Sequence, residues 1–300
     1  MLATIAPGQG SQTPGMLLPW IADPSKAELL RQWSQAIDLD LLHLGTAADA
    51  DEIRDTANAQ PLIVAAGLLS AGALDLEGKF SYVAGHSVGE ITAAAIAGVI
   101  TDVDALRLVR VRGLEMAKAA ATSPSGMSAV LSGDRDLVLA AIAQAGLIAA
   151  NDNGGGQIVA AGDLDALASL APEGARVRAL QVAGAFHTHF MSAAVEAFGK
   201  FASTIATSDP TVGVLSNRDG ELLHSGSEIL TRIISQVANP VRWDLCMSTM
   251  QRSGVTKALE VAPAGTLVGL LKRAAEGIEG FAFKSPDDLA AANQFVSSKG

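Results

Sequence analysis

Ser87 stands between two glycines in Gly85-His86-Ser87-Val88-Gly89-Glu90, after an apolar run and before an alanine-rich one. A serine becomes a nucleophile only when a base takes its proton and fixed donors receive the oxyanion that its attack creates. A strand-to-helix turn provides the second condition. The serine sits on a strained turn, the flanking glycines let neighbouring backbone pass without a Cβ, and the new helix aims unpaired N–H groups and its positive dipole end at the oxyanion. The base must come from His43, His86, His187, His189 or His224. His86 is the serine's sequence neighbour, so its side chain points elsewhere. His187, in Gly184-Ala185-Phe186-His187-Thr188-His189, falls where a small domain hands the chain back to a large one, the kind of seam at which clefts form. His187 and His189 have the spacing of a metal pair, but no cysteine or acidic cluster accompanies them, and no metal is expected.

Arg112 is the second group whose setting asks for a partner. A helix from about Asp102 to Ala121, laid out at roughly 100° per residue, puts Arg112 in the arc shared by Ala105, Leu108, Val109, Met116 and Ala119. Arg107, Arg110 and Lys118 fall on a different, solvated side. Thr101 with Asp104 has the form of a capping signal that fixes where this helix begins. A guanidinium on an apolar face needs an anion, because burying it alone is very costly. Two partners are open: a structural Asp or Glu, or a substrate carboxylate held by both arms of the fork.

These groups need a scaffold. Residues 2–6 read as a first strand, followed by the glycine-bearing loop Pro7-Gly8-Gln9-Gly10-Ser11-Gln12; residues 27–36 and 60–72 read as helices, 80–84 as a short buried strand and 91–100 as a tightly packed helix. After Pro124 the pattern becomes strand 127–131, helix 134–144, strands 147–151 and 157–161, helix 163–170 and strand 175–182. That is the β-α-β-β-α-β order of a split ferredoxin-like unit. Glycines 154–156 join two of its strands and read as a hairpin turn, since no Lys-Ser/Thr follows them as a phosphate loop requires. Helix 195–206, strand 211–216, helix 228–237 and strand 257–261 complete the pattern. Asn239-Pro240-Val241-Arg242-Trp243 predicts only a loop, Asn217-Arg218-Asp219-Gly220 a solvated turn, and Cys246 a packed core thiol. The tail from Ser285 opens on a helix-start signal and ends in small polar residues expected to fray. The expected fold class is α/β: a hydrolase-like large domain with a mostly parallel sheet from residues 1–122 and 186–300, carrying an inserted small ferredoxin-like α+β domain over 123–185.

Composition narrows the class. Hydrophobic residues make up 49% of the 300 while aromatics are only 4%, and with 30 glycines this suits a close-packed α/β protein better than a β-sandwich. A formal charge of −10 argues against a general nucleic-acid binder, whose footprint would be basic. The single Cys246 cannot form an internal disulfide, and neither a secretory signal core nor an apolar run of membrane-spanning length is evident, so a cytoplasmic location is expected.

Pro7-Gly8-Gln9-Gly10-Ser11-Gln12, Gln60-Pro61, Gly85-His86-Ser87-Val88-Gly89-Glu90, Arg112-Gly113, Gly184-Ala185-Phe186-His187 and Asn239-Pro240-Val241 follow one another in this order. The set resembles the malonyl-CoA:acyl-carrier-protein transacylases of fatty-acid synthesis and the related acyltransferase domains of polyketide synthases, over nearly the whole chain. The resemblance implies a malonyltransferase working through a malonyl-serine, with Ser87 as nucleophile, His187 as its base, and the N–H groups of Gln9 and Val88 as oxyanion hole. It implies that a main-chain carbonyl orients the histidine, at Gln236 with Asn239 close by, which accounts for the missing triad aspartate. It matches Arg112 to the arginine that pairs with the malonyl carboxylate and Gln60 to a pocket glutamine, and sets Met116 and Phe186 beside them. Malonyl-selective members carry Ala-Phe-His as here, whereas methylmalonyl-selective ones tend to carry a serine before the histidine. The implied partners are malonyl-CoA and acyl carrier protein, with no cofactor, nucleic acid or membrane. Since acyl carrier proteins are acidic, a basic patch near the cleft is expected from Arg176, Arg178, Lys272 and Arg273. A serine hydrolase sharing the elbow and a catalytically dead carrier-binding module are the rival readings.

Overall fold

Two sheets and the helices around them form the computed structural model, which describes residues 1–298. The buried strand β1 (Leu2–Ala6) leads through the Pro7–Gln12 loop to α1 (Leu18–Ile21), α2 (Pro24–Ile37) and α3 (Leu41–Thr46), and then to α4 (Thr56–Ala71), which is buried on nearly every side. Strand β2 (Tyr82–Gly85), helix α5 (Gly89–Ile96) and the long helix α6 (Asp102–Ala121) follow. Helix α6 starts where Thr101 Oγ1 accepts the Asp104 N–H at 3.1 Å. It packs along α4, and Gly113 permits the approach, since a Cβ there would lie 2.9 Å from the Thr56 carbonyl oxygen. Pro61, inside α4, has no N–H to give the carbonyl of Ala57 four residues back. Arg110 Nη1 donates to that carbonyl instead, at 2.9 Å, so an arginine expected on the solvated side mends a neighbouring helix.

The second sheet is built from β3 (Ser125–Ser132), β4 (Ile148–Asp152), β5 (Gln157–Asp163) and β6 (Ala175–Ala179), with α7 (Arg135–Gln144) and α8 (Leu164–Ser169) between them. The four strands are antiparallel in the order β6-β3-β5-β4, and glycines 154–156, all at positive φ, turn the chain from β4 into β5. Val130, Val138, Ile142, Leu147, Ile158 and Leu167 form a core of their own beneath this sheet.

Then come α9 (Ser192–Ala202), β7 (Gly213–Leu215), β8 (Leu222–Leu223), α10 (Gly226–Gln236), β9 (Val241–Arg242), α11 (Trp243–Arg252), β10 (Lys257–Glu260), α12 (Thr266–Ala274), β11 (Glu279–Ala282) and α13 (Leu289–Ser297). The segment expected to be only a loop at 239–243 instead contributes β9, which pairs parallel to β4 and joins the two halves of the chain, and Trp243 opens a helix. Ser285 and Asp288 form the capping signal seen in the sequence; the fraying expected at the extreme end falls on residues 299–300, outside the described residues. The first sheet runs β11-β10-β1-β2-β7-β8, parallel except for the last pair. Because β1 and β2 are paired with Ala6 opposite Gly85, the loop carrying Gln9 and the turn carrying Ser87 leave the same edge side by side. Among the described residues no helix is long and apolar enough to cross a membrane.

Candidate active site

The turn from β2 into α5 holds Ser87 at φ 53°, in the left-handed region that costs an L-residue about 1–2 kcal/mol. Both flanking glycines are obligatory on steric grounds. A Cβ on Gly85 would lie 1.9 Å from the Gly89 carbonyl carbon, and one on Gly89 would lie 2.3 Å from the Ala6 carbonyl oxygen. The Ser87 N–H donates to Asn217 Oδ1 at 2.8 Å and the Gly89 N–H to the His86 carbonyl at 2.9 Å. Among the described residues the N–H groups of Val88 and Gln9 have no acceptor, and they are available to an incoming oxyanion.

His187 Nε2 lies 2.8 Å from Ser87 Oγ, and its Nδ1 lies 2.8 Å from the Gln236 main-chain carbonyl. That carbonyl can only accept, so Nδ1 carries the proton and Nε2 is left as an acceptor facing Ser87 Oγ. The ring is 3% exposed, and burial, reinforced by the charge of Arg112, pushes its pKa down to about 3 against the opposing pull of the Gln236 carbonyl. His187 also has a positive φ, 61°, held by its N–H on the Val237 carbonyl at 3.2 Å. The main chain of Asn239 acts on this histidine together with the Gln236 carbonyl, both pulling its pKa upward, while the Asn239 side chain donates to the Ser235 carbonyl at 2.7 Å at the end of α10.

Arg112 is 1% exposed, and its partners are Gln60 Oε1 at 2.7 Å, Gln236 Oε1 at 2.7 Å and Ser87 Oγ at 3.4 Å. None is a carboxylate, so the structural ion pair left open by the helix pattern is not what it makes. Burial pushes its pKa down to about 10, with Glu90 pulling the other way, and the guanidinium stays charged. Gln60 also donates from Nε2 to Met116 Sδ at 3.5 Å, which ties α4 to α6 at the site. A cavity of about 350 Å³ opens above these groups, lined among others by Gln9, Gln60, Ser87, Met116, Phe186 and His187.

Of the remaining histidines His224 is exposed, and the other three take other partners. His86 pairs through Nε2 with Asn153 Oδ1 at 2.8 Å, His43 with Glu52 at 3.0 Å, and the exposed His189 stacks on Phe190. Among the described residues no group of three or more His, Cys, Asp or Glu is placed to hold a metal ion. Asp219, an acid that a serine hydrolase reading could call on, is held by Arg232 at 2.7 Å. Cys246 is buried and donates to the Ser216 carbonyl at 3.3 Å.

Two residues of the site escaped the sequence reading. Asn217, assigned to a solvated turn, is 0% exposed; its Nδ2 donates to the Gly85 carbonyl at 2.7 Å, so it spans the elbow from below. Glu90 is 4% exposed, and burial pushes its pKa up to about 7 against hydrogen bonds from Asn217 and Gln236 and the charges of Arg112 and Arg232. The one sequence signal for it is its fixed place after Gly89.

A serine-histidine pair on a strand-to-helix turn, oriented by a main-chain carbonyl and facing a buried arginine, defines an acyl-transferring site. The chain belongs to the family described as acyl transferase domain, which matches residues 4–284. It is 55% identical over 296 residues to the malonyl CoA-acyl carrier protein transacylase of Mycobacterium tuberculosis, covering 96% of this chain and 98% of that protein. The crystal structure of MCAT from the same organism superposes with a TM-score of 0.95 at 54% identity, covering 98% of this chain and 99% of that one. A structure of a type II PKS acyl-carrier protein in complex with its malonyl-transacylase matches with a TM-score of 0.89 at 29% identity, covering 98% and 99%.

Proposed function

We propose that this chain moves the malonyl group from malonyl-CoA to the phosphopantetheine thiol of acyl carrier protein, by a ping-pong route through a malonyl-serine at Ser87. The observation that carries the assignment is Arg112: a buried charge with no carboxylate among its hydrogen-bond partners, 3.4 Å from the nucleophile's oxygen. Ser87 Oγ gives its proton to His187 Nε2 as it attacks the thioester carbon, and the oxyanion settles on the N–H groups of Gln9 and Val88. Collapse breaks the C–S bond, and the imidazolium returns the proton to the departing CoA thiolate. The carrier thiol then repeats the sequence in reverse, giving its proton to His187, attacking the malonyl ester and leaving Ser87 protonated. The malonyl carboxylate lying on Arg112 also offsets the positive charge that depresses His187, so the correct substrate strengthens its own base. Every step uses side chains and main-chain groups, and no cofactor is required.

The antiparallel order of β3 to β6 with two helices and a separate core supports reading residues 123–185 as an inserted ferredoxin-like domain on a hydrolase-like frame. Arg178 faces the cavity-lining Ala129 across the β3–β6 pair, and Arg273 lies on α12, whose Thr266, Leu267 and Leu270 line the cavity, so both stand near the opening where an acidic carrier would dock. Fatty-acid synthesis in the cytoplasm is the setting these relatives suggest, and the match to a polyketide carrier complex makes a polyketide carrier the second reading. Incubation with malonyl-CoA and acyl carrier protein tests the assignment by mass spectrometry: malonyl-Ser87 and then malonyl-carrier are expected, and free malonate as the main product would make the protein a hydrolase.

A further inference from the structure

Glu90 does not line the cavity, yet it sits at the centre of the hydrogen bonds beneath it. Its Oε1 accepts the Asn217 N–H at 2.6 Å, and its Oε2 accepts from Gln236 Nε2. The Gln236 carboxamide is oriented by what surrounds it. Its nitrogen faces three acceptors, Glu90 Oε2, the Ser87 carbonyl at 3.0 Å and Asn217 Oδ1 at 3.3 Å, which leaves its oxygen for Arg112 Nη2. The main chain of Gln236 separately holds His187 from the end of α10.

We propose that Glu90 is a positioning residue for acyl-group selection: through the Gln236 carboxamide it keeps Arg112 aligned with Ser87 to receive the carboxylate of the acyl group. A carboxylate suits this place because it accepts at both oxygens. A carboxamide of the same shape would turn an NH₂ toward either the Asn217 N–H or the Gln236 NH₂, donor against donor, and the Gln236 amide would turn over and present its own donors to Arg112. Arg232, the other cation near Glu90, cannot take up the slack, since it is engaged by Asp219, Glu221 and Glu228. Because the histidine is held by main chain, losing Glu90 should degrade the arginine far more than the base.

Glu90→Gln is assayed at about pH 8, above the value of about 7 to which burial pushes this carboxyl, for acylation of Ser87 by malonyl-CoA and by acetyl-CoA. The expected result is a malonyl kcat/KM lower by about thirtyfold, mostly in KM, with acetyl transfer changed less than about threefold. On an Arg112→Ala background the same substitution should alter malonyl transfer less than about twofold, since the two then share one pathway. Equal losses for both donors, or the full loss surviving on that background, overturns the inference. If Glu90→Gln folds poorly, Glu90→Asp keeps the charge and draws it back by one methylene; a folded Asp variant with unchanged malonyl preference is equally fatal. The inference rests on the proposed role of Arg112, which Arg112→Ala alone tests. An unselective loss there removes that role, whereas a selective loss there with an unselective one in Glu90→Gln removes only the assignment of Glu90.

Discussion

Removing the guanidinium with Arg112→Ala tests the origin of carboxylate selection. Burial pushes the Arg112 pKa from 12.5 to about 10, which at 1.36 kcal/mol per unit corresponds to about 3 kcal/mol of unfavourable charge burial in the free protein. A malonyl carboxylate meeting both arms of the fork recovers energy of that order, and an acetyl group recovers none. On the proposed role, the arginine should account for about a hundredfold of malonyl preference, at 1.4 kcal/mol per factor of ten. Truncation also strands Gln60 Oε1 and Gln236 Oε1, but that cost falls on both donors alike. The assay is the single-turnover rate of Ser87 acylation, followed by intact mass, with malonyl-CoA and acetyl-CoA in parallel. Malonyl acylation should fall about a hundredfold further than acetyl acylation; losses within about threefold of each other would falsify the clamp, because an arginine that merely props up the elbow slows both.

The other expectations concern the base, the elbow and the pocket. His187, pushed down to about 3, should remain neutral to below about pH 5 in an NMR titration of its ring, whereas a midpoint near the ordinary value of about 6.5 is incompatible with the buried dyad. Its folded pKa is depressed, so the unfolded chain binds the extra proton and stability drops as pH falls from about 6.5 toward 3; His187→Gln should flatten that part of the denaturation profile, and an unchanged slope contradicts the assignment. Gly89→Ala drives a methyl to 2.3 Å from the Ala6 carbonyl oxygen and should cost at least about 3 kcal/mol in chemical denaturation, so a variant within about 1 kcal/mol of the parent means the elbow is looser than described. Phe186→Ser opens the cavity wall and should improve methylmalonyl against malonyl transfer by about tenfold, one methyl being worth about 1–3 kcal/mol; no change in that ratio would place the acyl group elsewhere.

What could be read from residues alone was whatever depends on local pattern. The glycines around Ser87, the apolar arc containing Arg112 and the strand–helix alternation read from 127 to 182 all encode their geometry within a few turns of chain, and the structure has each of them, with the last of these strands ending at Ala179. Gln236 was reached only through resemblance, because the end of a helix does not announce whose side chain its carbonyl will meet. Asn217 and Glu90 lie 127 positions apart, and their hydrogen bond exists only after β2 and β7 have paired. Asn217 even carries a misleading signal, since Asn-Arg-Asp-Gly is turn chemistry. Strand β9 failed for a related reason: two residues have no period of their own, and the exposed edge of β4 makes them a strand. Asn239 was likewise reached only through resemblance: its main chain acts on His187 while its side chain finishes the helix on the Ser235 carbonyl.

Ser87 and His187, the two residues proposed to exchange a proton, both occupy backbone conformations in which glycine would be more comfortable. Each position holds about 1–2 kcal/mol of backbone strain, which at the buried His187 the packing and hydrogen bonds of its ring offset. Selection for thermal hardiness alone would thus erode the chemistry at Ser87, where a glycine relieves the strain and loses little packing, and a survey of stabilised but inactive variants should find glycine at 87.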